Sequence, residues 1–105
     1  IAEFQFKAGQ YITIKKEIDG KEVRRAYSIC SDPTTGILKI AVKAVEDGTF
    51  SIYAINQLRS GDKLEVSKPE GRFILEPKSG ENYLAIAAGS GITPILSMLK
   101  ATQHI

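Results

Sequence analysis

Tryptophan is absent from this chain, and cysteine, histidine and methionine each occur once. A lone Cys30 leaves no internal disulfide to form and points to a reducing compartment. One cysteine and one histidine also fall short of the ligand count of an intrachain zinc or iron–sulfur site, so no metal ligands are expected. A Cys-His nucleophile pair stays a remote reading, because His104 stands at the tail. No apolar run approaches the roughly 20 residues of a membrane span. The start, "IAEFQFKAG", has neither the basic region nor the apolar stretch of a secretory signal, so a cytoplasmic location is expected. A net charge of only +2, with both signs interspersed, gives no field suited to nucleic acid or a membrane surface.

What is present is globular. Hydrophobic residues make up 43% and charged residues 25% of 105, enough for one core. The stretch "QYITIKKEIDGKEVRRAYSIC" alternates on both sides of Asp19-Gly20, which predicts a β-hairpin. Tyr11, Thr13 and Lys15 fall on one face of its first strand, Ile12 and Ile14 on the other. After a turn at 33–36, Leu38, Ile40, Val42 and Ala44 keep one register, predicting a third strand with a buried face. The period then becomes helical: Ile52, Ile55 and Leu58 share a face, Thr49 or Ser51 caps the start, and Gly61 follows the end. Period 2 returns in "KLEVSKPEGRFIL", broken by Pro69 and Gly71. Residues 78–82 read as a linker. Beyond them an apolar strand, a glycine turn and a helix follow, with Thr93 as N-cap and Pro94 as first helical residue. Short strands, glycine turns and one helix predict a small antiparallel barrel. The final strand and helix, residues 81–105, read as the opening of a separate α/β unit.

Four stretches carry possible chemistry. In "RRAYSICS", Arg25 and Tyr27 project to one face of a strand, a cation beside an aromatic ring. That pair suits a ligand with an anionic group and a flat ring, or is simply a solvent-facing pair. Ser28 joins them only if the strand ends or bulges there. "DGTFS" places Gly48, Thr49 and Ser51 at a helix start, either a phosphate site or ordinary capping. "AAGSGITP" exposes backbone amides of Gly89, Ser90 and Gly91 ahead of a helix, either a pyrophosphate turn or a plain strand-to-helix connection. It departs from the dinucleotide fingerprint because Pro94 replaces the last glycine. In "PEGRF" a turn is expected, with Arg72 able to reach an anion. Cys30 reads as a small buried residue rather than a reactive thiol.

In order and spacing, "AGQYITI", "RRAYSICS", "LKIAVKAVEDGTFS", "GDKLEVSKPEGRF" and "YLAIAAGSGITPILSMLK" resemble the ferredoxin–NAD(P)⁺ reductase family. The resemblance is to the flavin domain of oxygenase reductases, those of phenylacetyl-CoA oxygenases and phenylacetate catabolism included, and spans nearly the whole chain. It implies an all-β, six-stranded antiparallel Greek-key flavin barrel with one short helix over 1–80. The first strand and helix of an NAD(P)-binding α/β domain, both units cut short, would follow over 81–105. The implied activity is electron transfer from NADH or NADPH through FAD to a [2Fe–2S] centre, in a further domain or a partner protein, that serves an oxygenase.

Carried over by position, Arg25 neutralises the flavin phosphate, Tyr27 stacks on the isoalloxazine ring and Ser28 hydrogen-bonds near its reactive nitrogen. Ala26, Val42 and Lys43 contact the cofactor, the last two largely through backbone. Gly48, Thr49, Phe50 and Ser51 form the phosphate loop. Thr93 approaches the ring and, with Ser28, stands at the catalytic face. Gly89, Ser90 and Gly91 form the NAD(P)H turn. Two alternatives stand beside this: an FMN-binding homologue, and a non-enzymatic barrel acting as a binding module. Ile92, Ile95, Leu96 and Leu99 share a helix face that needs a partner, so the tail is expected to pack on the barrel or on a second copy.

Overall fold

The computed structural model describes residues 5–103, the side chain of Ser90 excepted. Two strands, β1 (Tyr11–Ile18) and β2 (Lys21–Ser28), form the expected hairpin, in register from Tyr11 opposite Ser28 to Ile18 opposite Lys21. Asp19 and Gly20 have φ of 51° and 78°, the left-handed pair that a tight hairpin turn of matching twist requires. The alternation of β1 has the expected sidedness: Ile12 and Ile14 are buried while Tyr11, Thr13 and Lys15 are half-buried. A two-residue strand, β3 (Glu65–Val66), pairs antiparallel with the other edge of β1, giving the order β2-β1-β3. Lys15 of the central strand bonds Glu22 at 2.9 Å and Glu65 at 3.3 Å, tying all three strands. The hydrogen bond to Glu22 leads in raising the Lys15 pKa, and its counterpart lowers that of Glu22. Both charged side chains reach solvent, so the link adds little stability.

Among the described residues the sheet has three strands, not six, and no closed barrel. The expected third strand makes a single bridge, Ile29 to Ile40. The cause lies in Ser31, whose Oγ accepts the Lys39 N–H at 3.0 Å and donates to the Ile37 carbonyl at 2.8 Å. A side chain thus takes the two main-chain groups that a longer ladder would use. Even so, Leu38, Ile40 and Val42 pack against the core, as their alternation implies. The stretch after β3 continues as an interrupted strand, touching β1 at Glu70 opposite Tyr11 and the segment ahead of β1 at Leu75 opposite Ala8. Pro69 lacks an N–H, and Gly71 at φ 116° turns the chain, which breaks the pairing.

Helix α1 (Thr49–Asn56) begins after Gly48, with no side-chain cap from Thr49 or Ser51, and ends at Gln57, ahead of Gly61. Its buried residues are Phe50 and Ser51, whereas Ile52 and Ile55 are 43% and 54% exposed. Phe50 enters the core formed with Ile12, Ile14, Val23 and Ile29, and that insertion turns the isoleucine stripe outward.

The apolar strand expected before the glycine turn does not form: residues 81–88 are exposed, with Leu84 89% and Ile86 85% accessible. A strand needs a neighbour's main chain, and the described residues offer none there. Gly89–Gly91 make a 3-10 turn that runs directly into helix α2 (Ile92–Thr102). Gly91, not Thr93, is therefore the N-cap, and Pro94 stands third in the helix, where its missing N–H has no intrahelical partner to lose. The buried face of α2 is Pro94, Ile95, Ser97, Met98 and Ala101 rather than the expected apolar stripe, with Ile92 and Leu99 about half exposed. Ile95, Met98 and Ala101 form a second core with Ala8 and Leu75, so the helix packs back on the sheet unit. No described helix is long and apolar enough to cross a membrane.

Candidate functional site

Tyr27 lies one residue from the end of β2, opposite Ile12, so it shares the core face of the hairpin and is only partly buried. Its ring stands 5.8 Å from that of Phe50 at 49°, and Phe50 in turn stands 6.1 Å from Tyr53. These tilted pairs hold the Tyr27 ring from behind. Burial raises the Tyr27 pKa, and the nearby charge of Arg25 opposes that rise.

Beside Tyr27 opens a cleft of about 630 Å³. Its walls come from three segments: Ala26, Tyr27 and Ser28 at the end of β2; Ala41, Val42, Lys43 and Val45 on the returning arm, residues 37–45; and Gly89, Ile92 and Thr93 at the start of α2. Because β2 terminates at Ser28, three consecutive residues can share this wall, which strict alternation would forbid. Of the residues singled out in the sequence, Ala26, Tyr27, Ser28, Val42, Lys43, Gly89 and Thr93 converge here from positions far apart in the chain.

The others lie outside the lining. Arg25, opposite Ile14, is exposed, and its Nη1 donates to the Arg24 carbonyl at 2.7 Å. Gly48, Thr49, Phe50 and Ser51 sit behind Tyr27 at the start of α1. Phe50 is 1% exposed, and the Ser51 hydroxyl accepts the Val45 N–H at 3.1 Å and donates to the Gly48 carbonyl at 3.2 Å. A Cβ on Gly48 would stand 2.5 Å from Ser51 Oγ and 2.9 Å from the Val45 carbonyl oxygen. Contacts within the chain itself therefore already demand a glycine there. Gly91 caps α2 away from the cleft lining, and the Ser90 side chain lies outside the described residues, as does His104.

Sequence reasoning missed Ala41, Val45 and Ile92. Val45 falls off the two-residue period of its arm and Ile92 reads as part of a packing face, so neither carries a polar or glycine signal. Val45 could have been found through its neighbour Gly48, whose N–H donates to the Val45 carbonyl at 2.8 Å. Among the described residues no group of His, Cys, Asp and Glu is placed to hold a metal ion.

A family described as "Oxidoreductase FAD-binding domain" matches residues 1–74. The chain is 48% identical over 101 residues to one subunit of the 1,2-phenylacetyl-CoA epoxidase of Escherichia coli (strain K12), covering 94% of this chain and 28% of that protein. It is 42% identical over 100 residues to the flavohemoprotein of Bacillus subtilis (strain 168), covering 93% of this chain and 25% of that protein. The chain thus spans about a quarter of the length of these relatives. Others include the reductase component of a glycine betaine monooxygenase from Chromohalobacter salexigens. Among solved structures, ferredoxin-NADP⁺ reductase from Plasmodium falciparum with 2'P-AMP superposes with a TM-score of 0.76 at 28% identity, covering 92% of this chain and 40% of that one.

Proposed function

Because the chain belongs to the oxidoreductase FAD-binding domain family of the ferredoxin reductases, we propose that the cleft beside Tyr27 seats the isoalloxazine ring of FAD. The protein it serves would be a reductase that draws on NAD(P)H and delivers electrons to an iron–sulfur centre of an oxygenase system. The observation that carries this reading is the meeting of the β2 end, the returning arm and the α2 start on one cleft. Its volume of about 630 Å³ lies within the roughly 300–1,000 Å³ of small-molecule sites. Tyr27, Val42, Val45 and Ile92 supply apolar surface for a flat ring, while Ser28, Lys43 and Thr93 supply a few polar groups.

Tyr27 stacks on the ring, braced by Phe50, and Ser28 offers a hydroxyl to its polar edge. Val42 and Lys43 hold the side of the ring through backbone, and Thr93 closes on it from α2, so that Ser28 and Thr93 flank the reacting face. Arg25, exposed and two residues from Tyr27 on the same strand face, reaches a phosphate from solvent by exchanging its bond to the Arg24 carbonyl. The N–H groups of residues 49–51 at the start of α1, with the Thr49 hydroxyl, form the rest of that phosphate site. Phe50 and Ser51 hold that helix start in place through their buried side chains. The turn at Gly89–Gly91 receives the pyrophosphate of NAD(P)H. When bound, FAD supplies hydride acceptance from NAD(P)H and release of electrons one at a time. The chain's own part is to bind, orient and shield the ring.

In this reading the flavin unit occupies 1–80, and the segments 37–45 and 65–75, which reach the sheet through isolated bridges and β3, stand where the further strands of a Greek-key barrel would run. The nucleotide domain begins at 81. The [2Fe–2S] centre belongs to another domain or a partner, since Cys30 and His104 cannot supply its ligands. Kinship with the phenylacetyl-CoA epoxidase component supports phenylacetate catabolism as the setting.

The test is a titration of the purified chain with FAD and, separately, FMN, followed by the visible flavin band and flavin fluorescence. Saturable binding of FAD is expected, weakened tenfold or more by Tyr27→Ala and by Arg25→Ala. Binding that neither substitution alters would remove the cleft from the reading. Tighter binding of FMN would replace the cofactor.

A further inference from the structure

The two sides of the cleft are contributed by parts of the chain more than sixty residues apart, and apolar packing alone is a poor way to hold them at one spacing. Hydrophobic contact is non-directional, so a helix resting on Ala8 and Leu75 through Ile95, Met98 and Ala101 is free to slide or rotate by small amounts. Ser97 interrupts that apolar face. It is completely buried, and its hydroxyl donates to the Ser31 carbonyl at 2.6 Å. A buried hydroxyl costs stability unless it is paired, and Ala101 on the same face shows that packing there is met without one. The Ser97 hydroxyl therefore brings a direction that the apolar face lacks.

Its partner is itself a junction. Ser31 is 4% exposed, and its own hydroxyl holds the returning arm at Ile37 and Lys39, while the neighbouring Cys30 N–H donates to the Lys39 carbonyl at 2.9 Å. Lys100, one turn beyond Ser97, adds a second link from α2, its Nζ donating to the Cys30 carbonyl at 3.3 Å. Consecutive carbonyls of the segment that leaves β2 are thus gripped by one helix. Ser31 lies three residues past Ser28, Lys39 stands two before Ala41, and Ser97 is one helical turn after Thr93 on the same face. All three walls meet at this one pair.

We propose that the Ser97–Ser31 hydrogen bond is the positioning device of the cleft. It sets the distance and rotation of the Thr93 wall against the Tyr27–Ser28 wall and the returning arm, and so determines how tightly a flat ring is held between them. Ser97 touches no ligand in this scheme and acts through Thr93 and Ser31. The inference rests on the flavin reading for its ligand, but the coupling of the three walls does not.

The test compares Ser97→Ala with Thr102→Ala in the whole chain. Thr102 also sits on α2, and its hydroxyl donates to the Leu99 carbonyl at 2.6 Å, so its loss perturbs the helix without touching the junction. Amide hydrogen exchange is read at Cys30 and Lys39 without flavin, and FAD affinity is read by fluorescence. Ser97→Ala should speed exchange at both amides and weaken FAD binding, each about tenfold, the size of one ordinary hydrogen bond. Thr102→Ala should change neither. Exchange in Ser97→Ala that quickens only along α2, with Cys30 and Lys39 as protected as before, would overturn the proposal. Failure of the unaltered chain to bind FAD would overturn the functional reading, and the exchange result would still decide the coupling. Ser97→Cys, which keeps the volume of the side chain but donates only weakly, serves if Ser97→Ala does not fold; it should speed exchange at Cys30 and Lys39 in the same direction, and unchanged protection at both amides would equally overturn the proposal.

Discussion

Phe50→Leu separates packing from ring geometry at the centre of the molecule. Phe50 is 1% exposed and lies between Tyr27 at 5.8 Å and Tyr53 at 6.1 Å, so it belongs at once to the core and to the support of the cleft. Leucine keeps most of the buried apolar surface but removes two tilted ring pairs, each contributing about 0.5–1.5 kcal/mol beyond area burial. The expected loss is about 1–3 kcal/mol, which for a domain near this size lowers Tm by at least ~4 °C. Phe50→Ala would add a cavity and cost about 3–5 kcal/mol. That is a large part of the roughly 5–15 kcal/mol typical of a whole domain, so leucine is the informative change. Urea unfolding followed by circular dichroism gives the loss directly, and an unchanged slope confirms that the folded and unfolded states are comparable. FAD affinity should fall as well, because Tyr27 loses the ring behind it. A loss under about 0.5 kcal/mol, the low end for a single ring pair, with unaltered FAD binding would refute the view that Phe50 braces Tyr27.

Two further perturbations test the frame around the site. Gly9 has φ 106°, and a Cβ there would overlap the Phe73 carbonyl oxygen and stand 2.7 Å from Met98 Cε. Gly9→Ala should cost about 2–4 kcal/mol through backbone strain and overpacking, and a urea midpoint equal to the wild type would show that the chain relaxes there. Tyr27 has its pKa raised above 10.0 by burial, so the fold prefers the neutral phenol. The unfolded chain ionises first, and stability falls as pH rises from the ordinary value of 10.0 through the raised folded value. The tyrosinate absorbance lost in Tyr27→Phe should therefore develop above pH 10.0, and a component titrating at or below that value would contradict the burial of the ring.

Local chemistry made part of this protein legible in the sequence. Asp19-Gly20 specifies its turn through backbone preference, and the alternation of Ile12 and Ile14 against Tyr11 and Thr13 names the buried face of β1. The existence of both helices and the order of the flavin-family motifs were equally readable, because each depends on residues close together in the chain. Periodicity reports which side of a segment is apolar and says nothing of the partner it meets. Leu38, Ile40 and Val42 point inward as expected, yet Ser31 takes the hydrogen bonds that would have made their segment a strand. The stripe of Ile52 and Ile55 has helical spacing, but Phe50 enters the core and turns it to solvent. On α2 a serine between apolar residues carries no signal of its own, and only the fold brings the Ser31 carbonyl to its hydroxyl. The cleft belongs to that same class of facts. Its walls are three segments distant in sequence, and only their packing decides that Tyr27, Val45 and Thr93 line one cleft.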